Sequence, residues 1–240
     1  MLRFVGALLL PLLVLCDVRF PFDCDEIHSH GEKLSQVYTI FPNGIGFPVN
    51  VYCDMGCQNH KEDGEGWTVF QRRQDGTVNF YRPWQEYKEG FGNPSGEYWL
   101  GLENLHILTS KKNYELRVDM EDSHGNRAAA QYSSFSVGPP EDGYRLTVGG
   151  FNNGSAGDSL SGHNGMKFTT YDRDHDHWYD NCARQHLGAH WYNRCVHYSN
   201  PNGVYAWSGT KYYAIAVTWR TFKISRYSMR FFSMKIRPVA

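Results

Sequence analysis

Apolar and polar side chains alternate strictly from Tyr114 to Met120, where Tyr114, Leu116, Val118 and Met120 are separated by Glu115, Arg117 and Asp119. A period of two predicts a strand with one dry face and one wet or loop-covered face. Trp67 to Gln71, Gln131 to Val137 and Tyr144 to Val148 read as further strands, and Tyr212 to Thr218 with Arg230 to Ile236 are expected to close the sheet. Short helices are expected from Pro83 to Glu89, with Pro at the start and Gly90 past the end, and from Leu102 to Thr109. From Gly149 to about Gly209 the pattern dissolves into Gly, Asn, Asp, His and aromatics. So long an irregular stretch in a compact domain points to function and needs cross-links to hold it.

The beginning of the chain changes the setting. Arg3 precedes an almost wholly apolar run, Phe4 to Leu15, broken only by Gly6, Ala7 and Pro11. It reads as a signal peptide spanning residues 1–16, cut after Cys16, which leaves 17–240 as one domain. The run is too short to span a bilayer comfortably, and no other stretch approaches the roughly 20 apolar residues a span requires. The mature protein is therefore expected outside the cell, in the extracellular space or matrix. With 41% hydrophobic residues in 240 there is enough apolar material for a real core. The 16 Tyr and 7 Trp exceed what that core needs, so some are expected on a ligand surface or under irregular loops. A net charge of −1, with no Lys/Arg run to follow a phosphate backbone, argues against a nucleic-acid partner.

Secretion turns thiols into cross-links. After cleavage Cys24, Cys53, Cys57, Cys182 and Cys195 remain, an odd number, so one is free or joined to another chain. No CxxC occurs, and the Cys53 to Cys57 spacing lacks a second pair that could complete a zinc site. Nor is there a repeat, heptad run or collagen triplet that would announce assembly through a stalk.

Several segments together are specific. DCDEI from Asp23, VYCDM from Val51, GWTVFQRR from Gly66, GEYWLGLENLHILT from Gly96, YELRVDMED from Tyr114, AGDSL from Ala156, KFTTYDRDHD from Lys167 and MKIR from Met234 resemble the fibrinogen C-terminal (fibrinogen-related) domain family, in the family's order and over nearly all of the mature chain. The resemblance implies an α+β fold: a central twisted antiparallel sheet with short helices and a loop-rich calcium and ligand region. It also implies Cys24–Cys53 and Cys182–Cys195 bridges, which leave Cys57 for an intermolecular disulfide and a disulfide-linked homo-oligomer.

Asp172, Asp174 and Asp176 place alternate carboxylates in a short loop, a concentration of hard oxygen ligands suited to Ca²⁺. An EF-hand is ruled out, because His177 stands where Gly is needed and Ala183 where Glu is needed. By resemblance, the Asp172 and Asp174 side chains bind the ion, with backbone carbonyls near Asp176 and Trp178 and waters completing the shell. His175 and His177 are expected to face solvent.

In lectin-like members of this family the second disulfide lies beside an aromatic pocket for the acetyl group of acetylated sugars, next to a cis peptide, here Arg194 to Cys195. The carried-over ligand residues are His186, Arg194, Cys195, Val196, His197, Tyr213 and Ala214. This chain departs from the pattern: Val196 replaces a His, with His197 one place later, His186 falls where a pocket Tyr is expected, and Phe222 and Ser225 stand where Trp and an aromatic are usual. The cluster of Trp191, Tyr192, Tyr205, Trp207, Tyr213 and Trp219 reads either as pocket wall or as packing under loops.

Two enzyme readings fail on the sequence. Ser159 in a GDSL string with Asp174 and His177 has the order of a lipase-type triad, but barely a loop separates the serine from the DxxH pair. His186 and His190 are four apart, yet no HExxH glutamate accompanies them and Gly188 lies between. What remains is a non-enzymatic recognition protein. One reading is a calcium-dependent binder of acetylated glycans with an innate-immune, lectin-like role; the other is a matrix protein holding elastic-fibre and collagen components. Asn153-Gly154-Ser155 is the sole N-glycosylation sequon.

Overall fold

A computed structural model describes residues 20–56, 65–196, 198–207, 214–223 and 227–239. The signal peptide, Cys57, His197, Tyr213 and Ser225 lie outside the described residues. The elements are α1 (Cys24–Ser29), β1 (Gln36–Ile40), β2 (Val49–Asp54), β3 (Trp67–Arg73), α2 (Trp84–Glu89), β4 (Phe91–Gly92), β5 (Tyr98–Trp99), α3 (Leu102–Lys111), β6 (Tyr114–Glu121), β7 (Arg127–Val137), β8 (Leu146–Asn153), α4 (Cys182–His186), β9 (Ser199–Asn200), β10 (Thr218–Trp219) and β11 (Phe231–Pro238). The main sheet runs β1-β2-β3-β11-β6-β7-β8, and the short β4 and β5 attach beside β3. Every ladder in it is antiparallel.

The alternation along β6 is seen directly, with Tyr114, Leu116, Val118 and Met120 buried and the residues between them half-buried. Helix α3 covers the dry face through Leu102, Leu105 and Leu108. Its Thr109 hydroxyl donates to the Leu105 carbonyl and accepts the Val137 N–H of β7, at 2.8 and 3.0 Å. Helix and sheet are thereby keyed together. Gly101, the residue before α3, crosses the end of α2 at φ 104°, where a Cβ would lie 2.8 Å from the Glu89 backbone. Only glycine fits so close a crossing.

Two expectations about the sheet need correction. The strand over Arg230 to Ile236 does not close the sheet: as β11 it lies in the middle, between β3 and β6. Lys235 disguised it. Its ammonium is almost fully buried because Asp54 and Asp119 both accept from it, at 2.7 and 2.6 Å. A charge that looks solvent-facing in sequence is tolerated inside when neighbouring strands supply counter-charges. The segment to Thr218 does not join this sheet either. Thr218–Trp219 pair with Ser199–Asn200 in a separate two-stranded ladder inside the irregular region. The strands β1 and β2 were missed, because Gln36–Ile40 is too exposed and mixed to show a period.

Each cross-link holds a different part of the fold. Cys24–Cys53 ties α1 to β2, and Cys182–Cys195 closes the loop-rich lobe. That lobe docks on the sheet through Trp191 and Trp219, which pack on Trp99, Phe135 and Phe232, and through buried polar contacts. Gln71 of β3 donates to the Pro201 carbonyl and the Asn202 side chain, and Arg73 donates to the carbonyls of Pro201 and Gly203. Burial pushes the Arg73 pKa down to about 10, while Glu97 beside it favours the cation. Its guanidinium also packs 3.9 Å from the Phe80 ring.

Candidate functional site

The acidic loop is a series of local carboxylate turns. Asp174 accepts the N–H of Asp176 at 3.1 Å, and Asp176 accepts that of Trp178 at 2.8 Å, each a side chain bonding two residues ahead. Asp172 looks outward from the loop. Its Oδ1 accepts the Thr170 hydroxyl at 2.7 Å and the N–H of Trp84, the first residue of α2, at 2.9 Å. Asp172 and Asp174 line a cavity of about 310 Å³ with Asp180, Asn181 and Arg184. Asp176 does not line it: its second oxygen turns inward and accepts the Cys182 N–H at 2.9 Å. Burial, then the like charge of Asp174, raises the Asp176 pKa.

Hard oxygens therefore face the cavity at Asp172 and Asp174, with one Asp172 oxygen free of hydrogen bonds to described residues. This donor set fits calcium. The Asp176 carboxylate also lies within 4.8 Å of both Cys182 and Cys195 sulfurs. Those sulfurs are oxidised in a disulfide, so they offer no thiolate to a softer metal. Trp178 is 42% exposed and packs against Tyr179, with ring centroids 4.8 Å apart. His175 departs from its expected exposure, since it is half-buried, packs edge-on against Trp84 and pairs with the Phe168 carbonyl at 2.9 Å.

Asn181 couples this loop to the disulfide. Its side chain accepts the Arg184 N–H as the cap of α4 and donates to the Thr170 carbonyl. Around the disulfide, Cys182, Ala183, Tyr192 and Cys195 form a small apolar cluster of their own. His186 ends α4 almost fully buried, its ring 5.6 Å from that of Tyr192. Ala214 is buried at φ 60°, while Val196 is 37% exposed. The unforeseen organiser is Asn200. It accepts from the Tyr192 hydroxyl at 2.8 Å and donates to the carbonyls of His186 and Ala214 at 3.0 and 3.2 Å. Gly188 sits so close that a Cβ would lie 2.7 Å from the Asn200 side-chain oxygen.

The expected cis bond is not there. The Arg194–Cys195 peptide is trans, and both residues adopt left-handed backbone at φ 50° and 51°. Two consecutive left-handed residues produce the tight reversal, closed by the Val196 N–H donating to the Asn193 carbonyl at 3.0 Å. Such conformations cost of order 1 kcal/mol each for residues with a Cβ. The N–H groups of Arg194 and Cys195 donate to no described residue.

The aromatics divide between packing and surface. Trp191 and Trp219 belong to the main core, whereas Trp207 is 74% exposed with its ring N–H on the Asp75 carbonyl. Ser159 is buried and hydrogen-bonded to Thr221, a packing role. His190 is buried against His163, with ring centroids 4.6 Å apart. No described helix is long and apolar enough to cross a membrane.

A sheet stapled by one disulfide, with a second disulfide and an acidic loop organising an irregular lobe, defines the fibrinogen-like globe class of fold. The chain belongs to the fibrinogen C-terminal domain family, since residues 20–239 match the family described as "Fibrinogen beta and gamma chains, C-terminal globular domain". It is 48% identical over 222 residues to human (Homo sapiens) microfibril-associated glycoprotein 4, covering 90% of this chain and 85% of that one. It is 50% identical over 221 residues to Mus musculus fibrinogen C domain-containing protein 1, covering 90% of this chain and 47% of that protein. The fibrinogen-like globe domain of human ANGPTL6 superimposes with a TM-score of 0.85 at 45% identity, covering 93% of this chain and 97% of that one.

Proposed function

We propose that this chain is a secreted calcium-binding recognition protein that takes the acetyl group of acetylated glycans beside the Cys182–Cys195 disulfide. The observation that carries the reading is that the Arg194 and Cys195 N–H groups, held in left-handed backbone, donate to no described residue, while Cys195 packs with Tyr192, whose ring lies 5.6 Å from that of buried His186. Preorganised backbone donors beside an apolar cluster suit a carbonyl oxygen with a methyl group attached. Tyr213 and His197 would complete the wall. Calcium would bind at Asp172 and Asp174 and hold the loop that Asp176 and Asn181 tie to the disulfide helix. Residues 1–16 would direct secretion, Asn153 would carry an N-glycan, and Cys57 would join two chains.

Calorimetric titration with N-acetylglucosamine, in calcium and in EDTA, tests this. The expected result is weak binding in calcium that EDTA abolishes. No binding in either condition overturns the glycan reading. It would favour a matrix role, for which the similarity to microfibril-associated glycoprotein 4 speaks.

A further inference from the structure

A second open cavity lies away from this lobe, on the outer face of the main sheet, and measures about 740 Å³. Strands β2, β11, β6 and β7 contribute to its lining through Asp54, Lys235, Asp119 and Ala129, and each has a hydrogen-bonded neighbour on both sides. Lys235 is quenched at the bottom by Asp54 and Asp119, and Asp119 also accepts from Arg117 at 2.8 Å. The rim differs. Glu121, at 17% side-chain exposure, is bracketed by Arg127 at 2.9 Å and Arg230 at 3.7 Å, whose side chains are 84% and 64% exposed. Two guanidiniums thus share one carboxylate, and most of their N–H donors bond no described residue. Four lining cations (Arg117, Arg127, Arg230, Lys235) stand against three anions (Asp54, Asp119, Glu121), a local charge of +1 on a chain whose formal charge is −1. Ala129 and Ser155 on the wall are too small to fill the space.

We infer that this groove binds an anionic glycan, with sulfate or uronate groups held by the N–H donors of Arg127 and Arg230 that are not turned to Glu121. Guanidinium forks match sulfate and carboxylate oxygens geometrically and hold them by charge-assisted hydrogen bonds. A peptide fits less well. Main-chain pairing needs a free strand edge, which these inner strands lack, and Met120 in the floor is fully buried rather than part of an apolar recess. This site is separate from the acetyl pocket and does not depend on the calcium loop.

The test uses the full secreted chain on immobilised heparin, on desulfated heparin and on polyglutamate, each in EDTA. Retention on heparin is expected, and Arg127→Ser with Arg230→Ser should weaken it by about tenfold or more, the order expected from losing charged hydrogen bonds. Lys88→Ser with Lys111→Ser, remote basic residues, should leave it unchanged. Retention on heparin alone assigns sulfate, and retention on both heparins assigns uronate; either supports the site. No retention on either heparin overturns it, as does equal loss in the remote variant. Equal retention on polyglutamate overturns the glycan assignment in favour of an acidic protein.

Discussion

The Asp176 carboxylate accepts the backbone N–H of Cys182 at 2.9 Å, so the acidic loop and the second disulfide share a hydrogen bond. The same carboxylate holds the Trp178 N–H. Asp176→Ala removes both bonds, which for a charged acceptor should cost about 1.5–3 kcal/mol each at most, less where water replaces the carboxylate. A thermal scan should show a midpoint several degrees lower in EDTA as well as in calcium. An unchanged midpoint in EDTA would mean that the tie holds nothing together.

Asp172 and Asp174 should separate in the same experiment. Asp172 also accepts the Trp84 N–H that begins α2, whereas the bond from Asp174 is confined to its own loop. Both Asp172→Ala and Asp174→Ala should abolish stabilisation by calcium, which at a hundredfold excess over Kd is about 2.7 kcal/mol. Only Asp172→Ala should lower the melting temperature in EDTA, by the roughly 1 kcal/mol of a lost cap. Calcium shifts that survive both substitutions would place the ion elsewhere.

His163 is fully buried against His190 and the Trp191 carbonyl, and burial lowers its pKa to about 4; burial also lowers that of His190. A histidine that is neutral when folded and protonatable when unfolded contributes stability above its unfolded pKa near 6.5. That contribution is lost as pH falls from there toward about 4, at about 1.4 kcal/mol per pH unit per group. Urea midpoints at pH 7 and pH 4.5 should differ accordingly, and His163→Gln should flatten the slope. A midpoint indifferent to pH over this range would contradict the buried neutral pair.

Cysteine parity predicts a covalent dimer through Cys57, once Cys24–Cys53 and Cys182–Cys195 have formed. A non-reducing gel of the secreted protein should show a dimer band that Cys57→Ser removes. Monomer alone in the wild type would refute it.

Under the proposed glycan reading, Tyr213→Ala should abolish N-acetylglucosamine binding. Val196→His should strengthen it by up to about tenfold, the worth of one shielded hydrogen bond. Val196 is exposed beside the strained reversal, so a larger side chain meets little resistance. Tight binding indifferent to Tyr213 would move the site.

Much of the scaffold was legible because it is written in local periods. Tyr114–Met120 alternates, Leu102, Leu105 and Leu108 repeat with a helix, and Pro83 and Gly90 bracket α2 whatever surrounds them. The alternate carboxylates at Asp172, Asp174 and Asp176 stand out for the same reason: two-residue spacing is visible in one dimension, although only Asp172 and Asp174 line the cavity. Tertiary structure decided what depends on partners remote in sequence. Lys235 reads as a surface charge until Asp54 and Asp119 arrive from two other strands and make β11 the middle of the sheet. Gln71 and Arg73 read as the polar end of a strand, yet they hold the loop-rich lobe from roughly 130 residues away. Asn200 carries no motif, because its function is to collect His186, Tyr192 and Ala214 through hydrogen bonds that exist only once the lobe has closed.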